Sequence, residues 1–176
     1  MMGKRVYRIV TGSLLAAWMA VIFLFSAQPA VESGRISGTI AYRVAAASDR
    51  IFGLELETEE LEAYAERIDY PLRKCAHMTE YAIMGWLGYL FLAGYLKSAK
   101  KTYWLALGLA AVYAATDELH QLAVPGRSGQ FSDVCVDTAG AAAGLLALWA
   151  CVRIGRRWRS RREEKRKDVS RRTQSE

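Results

Sequence analysis

The chain has 176 residues, room for one domain, and 52% of them are hydrophobic although the mean hydropathy sits near zero. Its charges are therefore gathered apart from its apolar residues, which excludes an evenly charged soluble surface and leaves a long-helix soluble bundle as the one non-membrane alternative. The net charge of +6 comes from the ends, and a basic tail with Trp158 alone lacks the folded basic face or interleaved aromatics of a nucleic-acid binder.

In chain order, four apolar segments stand out at 6–26, 75–96, 103–122 and 134–154. Each is about 20 residues, enough helix to cross a hydrocarbon core of about 30 Å. The fold class they predict is all-α: a four-helix polytopic transmembrane bundle, with residues 1–155 as the transmembrane domain and 156–176 as a basic cytoplasmic tail. The first segment also has the place of a signal peptide. Ser26-Ala27-Gln28-Pro29-Ala30 lacks the paired small residues of a cleavage site, so it reads as a retained span.

Lys4, Arg5 and Arg8 precede the first span, Lys97, Lys100 and Lys101 fill the connection between the second and third, and the tail follows the fourth. The positive-inside bias puts all three in the cytoplasm, with both termini. The connections 28–74 and 123–133 then face the cell envelope. Within the first of these, one helical stripe runs through Ile36, Ile40, Val44, Ala47 and Ile51 and another through Leu61, Tyr64, Ile68 and Leu72. They predict two amphipathic helices in the outer loop, broken at Phe52-Gly53 and the acidic run 55–62, with Thr58 as an N-cap and Pro71 in the first turn of the second span.

From Arg153 onward the tail carries eleven Lys or Arg, the pattern expected beside anionic lipid headgroups, and disorder is expected from about Lys167. Cys75, Cys135 and Cys151 have no metal-type or redox-type spacing. A bridge between Cys75 and Cys135 is conceivable; buried free thiols are the reading adopted.

The polar residues of the spans gather at the outer end. The second span enters with Arg73, Lys74, His77 and Glu80, the third arrives with Asp117, Glu118, His120 and Gln121, and the fourth enters with Asp133 and Asp137. Ionisable groups at such depth mark a functional site by default, because each costs at least a few kcal/mol unless it faces protein or water. At about 1.5 Å per residue, Glu80, Asp117 and Asp137 fall in one layer. Asp133 and Asp137 continue into Gly140 and Gly144 on one stripe, and small-xxx-small spacing marks a close helix contact that turns both aspartates inward. The layer is expected to line a polar cavity opening outward near the outer leaflet, with Ser26 and Gln28 near its rim and the Pro125-Gly126-Arg127-Ser128-Gly129 turn placed to aim Arg127 back at it.

Five acids (Glu80, Asp117, Glu118, Asp133, Asp137) against three cations (Arg73, Lys74, Arg127) leave two negative charges to be neutralised by protons or a divalent cation. Three readings stay open. One is an ion-pair network that fixes helix register. Another is a catalytic or metal-assisted site with His77 or His120 as general base and the carboxylates as metal or proton partners. The third binds an anionic headgroup through Arg73, Lys74, Gln121 and Arg127. A transporter finds little support, since no internal repeat is present.

Phe25-Ser26-Ala27-Gln28, Arg73-Lys74-Cys75-Ala76-His77-Met78-Thr79-Glu80-Tyr81, and Asp117-Glu118-Leu119-His120-Gln121-Leu122-Ala123-Val124-Pro125-Gly126-Arg127 with Asp133, Asp137-Thr138 and Gly140 together resemble the VanZ-like family of bacterial membrane proteins. The resemblance implies a multi-pass protein whose namesake confers low-level resistance to teicoplanin. The outward-facing polar layer suits a role at the outer face of the cytoplasmic membrane, with membrane lipid, a lipid-linked envelope precursor or a glycopeptide as the expected partner. The alternative is an intramembrane hydrolase or transferase acting on a lipid-linked phosphate or saccharide headgroup.

Overall fold

A computed structural model describes residues 3–174, with side chains described to 163. The described residues form five helices and no strand: α1 (Lys4–Ser26), α2 (Ala30–Phe52), α3 (Thr58–Ala93), α4 (Ala99–Gln121) and α5 (Phe131–Gln174). The all-helical class is as expected. Two of the five, α1 and the described part of α5, Phe131–Glu163, are long and apolar enough to cross a membrane. The expected spans 75–96 and 103–122 fall in α3 and α4, which do not meet that standard; His77, Glu80 and several Gly and Tyr residues lower the apolar character of the first, and Asp117, Glu118, His120 and Gln121 that of the second.

α3 is the centre of the molecule, packing on α1, α2, α4 and α5, while α4 also packs on α5 and α1. Its core is built on Leu15 and Ile22 of α1, Tyr81 and Met84 of α3, Ala110 and Ala114 of α4, and Ala141 of α5. Small residues set the closest approach. A Cβ built on Gly140 would overlap the Met78 carbonyl oxygen and lie 2.6 Å from Met78 Cα, and one on Gly144 would lie 2.7 Å from Ala82 Cα. Only glycine allows the two backbones to meet there, so the stripe predicted as a helix contact is the seam between α5 and α3. Trp86 Nε1 seals it by donating to the Gly144 carbonyl.

The outer connection differs from the expectation of two separate amphipathic helices. Only α2 stands alone; the second stripe is fused with the following apolar segment into the 36-residue α3, and Pro71 lies inside that helix. Proline there removes one backbone hydrogen bond, a cost of about 3 kcal/mol in a helix interior. Packing along both halves of α3 offsets it. The N-cap is Glu57, not Thr58, with the Glu57 N–H donating to the Glu60 carboxylate at 3.1 Å. Between α2 and α3 the buried residues are Ala41, Ala45 and Ala65. The larger Ile36, Ile40, Val44 and Ile51 of the expected stripe are left exposed, because alanine permits a closer helix pair.

At the other end, α5 runs without a break through 134–154 and into the tail. Gly155 is too weak a breaker against a run of Arg, Lys and Glu, which are good helix formers. The backbone is helical to Gln174 across much of the stretch where disorder was expected. Residues 175 and 176 lie outside the described residues. Cys75, Cys135 and Cys151 are free, as adopted, but exposed instead of buried. Each sits on the outside of its helix, and burial rules drawn from water-soluble cores do not govern an apolar outer surface.

Candidate functional site

Four helix segments bring the polar residues together. The end of α1 supplies Ser26, the middle of α3 supplies Lys74, His77, Glu80 and Tyr81, the end of α4 supplies Asp117, Glu118, His120 and Gln121, and the start of α5 supplies Asp133 and Asp137. Asp117, Glu118, Gln121 and Asp137 are buried, with 5%, 6%, 4% and 2% exposure. Asp137 lies within electrostatic reach of Glu118, Asp117, Asp133 and Glu80, so the acids form one cluster as their depths predict.

Its outer edge is tied down by one ion pair and several hydrogen bonds. Lys74 Nζ bonds Asp133 Oδ1 at 2.5 Å, joining α3 to α5 across 59 positions of sequence. The Gln130 backbone N–H donates to Glu118 Oε2 at 2.8 Å, so Glu118 anchors the turn that starts α5. Gly126, at φ +75°, lets the preceding loop reverse. Arg127 Nε then donates to the Gln28 carbonyl at 3.2 Å, and the Ala30 N–H to the Pro125 carbonyl at 3.2 Å. The loop is thereby tied to the corner between α1 and α2. Arg127 is half-buried, and burial together with nearby Arg73 pulls it below the ordinary arginine value, against Asp117 and Glu118, which raise it. Arg73 itself is exposed.

Deeper in, pairing becomes incomplete. Gln121 Nε2 reaches Asp117 Oδ2 at 3.4 Å, a long hydrogen bond. Among the described residues, the buried Tyr81 OH and His120 Nδ1 have no hydrogen-bond partner, while Ser26 Oγ lies within hydrogen-bonding reach of the Asp117 carboxylate. Ser26 and His120 both neighbour Asp117, and the His120 ring packs 4.4 Å from that of Phe23. His77 Nδ1 faces Asp137 Oδ1 at 3.9 Å, an ionic approach longer than a hydrogen bond. Glu80 is half-buried beside Asp117, and its backbone carbonyl accepts from Trp18 Nε1 at 2.9 Å. Among the described residues, no three of His, Cys, Asp and Glu converge closely enough to hold a metal ion.

Every residue singled out from sequence is therefore in or beside the cluster. Glu118 and Lys74 are occupied by structural partners, and His120 keeps free hydrogen-bonding capacity. Tyr81 was missed by sequence reasoning, although it lies four residues after His77 and so shares its face. Asp69, in the first half of α3, also has a buried Oδ1 without a partner among the described residues, and its sequence context carried no signal for burial.

A helical bundle with two long apolar helices and a buried cluster of acids, histidine and tyrosine at one end has the form of a membrane protein with a polar site. The chain belongs to the VanZ-like family: the family model described as VanZ/LLP1 matches residues 12–153, which include every residue of the cluster. Membership points to a membrane protein with a role related to glycopeptide resistance. No curated protein and no solved structure matches the chain.

Proposed function

We propose that this protein crosses the cytoplasmic membrane four times with both termini in the cytoplasm, and that its polar cluster works at the outer face on envelope material. In that role it alters susceptibility to teicoplanin-type glycopeptides or the composition of the cell surface. One observation carries the reading: among the described residues, His120 and Tyr81 hold buried polar atoms without partners beside the buried carboxylate of Asp117. Each such group costs about 1–3 kcal/mol of stability, more when charged. A cluster serving only to fix helix register gains nothing by leaving such groups open, whereas a site that receives a polar headgroup needs donors and acceptors free.

A hydrolase or transferase acting on a lipid-linked phosphate or saccharide is the second reading, favoured by the approach of His77 to Asp137. A carboxylate facing an imidazole orients it as a general base, and the 3.9 Å gap has to close for that role. Arg127 is then the contact for the phosphate, since Lys74 already holds Asp133.

The test is glycopeptide susceptibility in cells expressing the wild type, Asp117→Asn or His120→Ala at equal membrane levels. Loss of the wild-type susceptibility shift in both variants is expected. An unchanged shift in both would overturn the role given to the cluster.

A further inference from the structure

At the opposite end of the bundle, α3, α4 and α5 enclose a cavity of about 460 Å³, within the range of about 300–1,000 Å³ typical of small-molecule sites. Its wall is apolar: Leu145, Leu146, Leu148 and Val152 of α5, with the aromatic rings of Tyr89, Tyr103 and Trp149. Leu146, Trp149 and Val152 are 56%, 55% and 45% exposed, so the cavity is open to the outside of the bundle. Its rim carries Lys100, Arg153 and Arg156 and no acidic residue. Among the described residues none of these three cations forms an ion pair. Arg153 is held in place with its Cζ 4.7 Å from the centre of the Trp149 ring, and the positive end of the α4 dipole, starting at Ala99, faces the same rim.

The position along α5 is informative. Twenty residues separate Asp133 from Arg153, about 30 Å of helix, which equals the thickness of a hydrocarbon core. With Asp133 at the outer boundary, Arg153 and Arg156 stand at the inner headgroup level and Leu146 to Val152 lie against the acyl chains.

We propose that this cavity is a binding site for one anionic phospholipid of the cytoplasmic leaflet, its phosphate held among Lys100, Arg153 and Arg156 and an acyl chain laid along Leu146, Leu148 and Val152. A free phosphate would leave the apolar wall without a ligand. An acidic protein segment would leave the exposed leucines and valine unmatched. The assignment rests on the membrane placement proposed above and is independent of the role of the outer cluster.

The full-length protein is inserted into nanodiscs of phosphatidylcholine doped with phosphatidylglycerol, released into the gas phase, and its retained lipid identified by native mass spectrometry. Selective retention of phosphatidylglycerol is expected. Near an anionic surface each Lys or Arg is worth about fivefold in affinity. Lys100→Gln/Arg153→Gln/Arg156→Gln should then lose selectivity on the order of a hundredfold, and Arg153→Gln alone about fivefold if the triple variant fails to fold. Arg159→Gln/Arg161→Gln/Arg162→Gln removes the same charge from further along the tail and should keep the preference. Equal loss in both triples, no preference in the inserted wild type, or displacement of the lipid by glycerol phosphate would each overturn the site. A wild type that does not insert at all would instead sink the membrane placement.

Discussion

The α3–α5 seam and the polar cluster above it are adjacent on the same two helices, yet they are built on opposite principles. Along the seam every position is used: Gly140 and Gly144 bring the backbones into contact and Trp86 closes the joint. One turn further out, Asp137 faces His77 without a hydrogen bond, and among the described residues Tyr81 and His120 keep buried polar atoms without partners. Packing of the first kind stabilises a fold. Openness of the second kind costs stability, and a chain able to build the seam so tightly has no structural need to leave the cluster loose.

That contrast can be broken most severely at the seam. Gly140→Val places its side chain on the Met78 backbone, which has no rotamer to give, so the usual overpacking cost of about 1–3 kcal/mol is a lower bound. Little folded protein is expected by size-exclusion chromatography in detergent. Recovery of a normally melting protein would show that α3 and α5 are not tightly joined. Lys74→Ala tests the paired edge of the cluster. Lys74 and Asp133 are 19% and 26% exposed, between surface and buried pairs, so a loss of roughly 2 kcal/mol is expected as a lowered unfolding temperature. An unchanged melt would make that pair decorative.

Smaller effects sharpen the picture. Trp18→Phe removes the hydrogen bond to the Glu80 carbonyl and should cost about 1 kcal/mol, read in the same melting experiment. A change well above that would mean that α1 is held to α3 mainly through this one contact. Cys135→Ser, on the exposed side of α5, should change stability by less than about 0.5 kcal/mol, and thiol labelling of the wild type in detergent should be fast. Slow labelling would put this cysteine inside the bundle.

Much of this plan was legible in the sequence because it is local. The limits of α1 and the starts of α4 and α5 follow the apolar segments to within about four residues, and the glycine stripe named its own contact face. The polar layer was also legible, since depth along a helix is simple arithmetic once the apolar limits are known. What escaped depends on partners far away in sequence. Glu118 looks like any other acid of the layer until the loop folds back and delivers the Gln130 N–H to it. Lys74 reads as a free cation until Asp133 arrives. The fusion of the amphipathic stripe into α3 was hidden by Pro71, whose local preference for a first turn is outweighed by packing along both halves of that helix. The Ala41–Ala45 face was hidden by the larger side chains around it, because sequence periodicity weights size where this helix pair uses smallness.

The central claim, that the inner part of the cluster is kept open for function, is tested most directly by the unfolding temperature of Asp117→Asn in detergent, read beside its glycopeptide phenotype. The substitution keeps the shape and removes the charge of a buried carboxylate, so the protein is expected to melt at the wild-type temperature or above it while the susceptibility shift is lost. A variant that melts well below the wild type, with its phenotype lost only in proportion to the folded protein, would contradict the account and make Asp117 a structural member of the bundle.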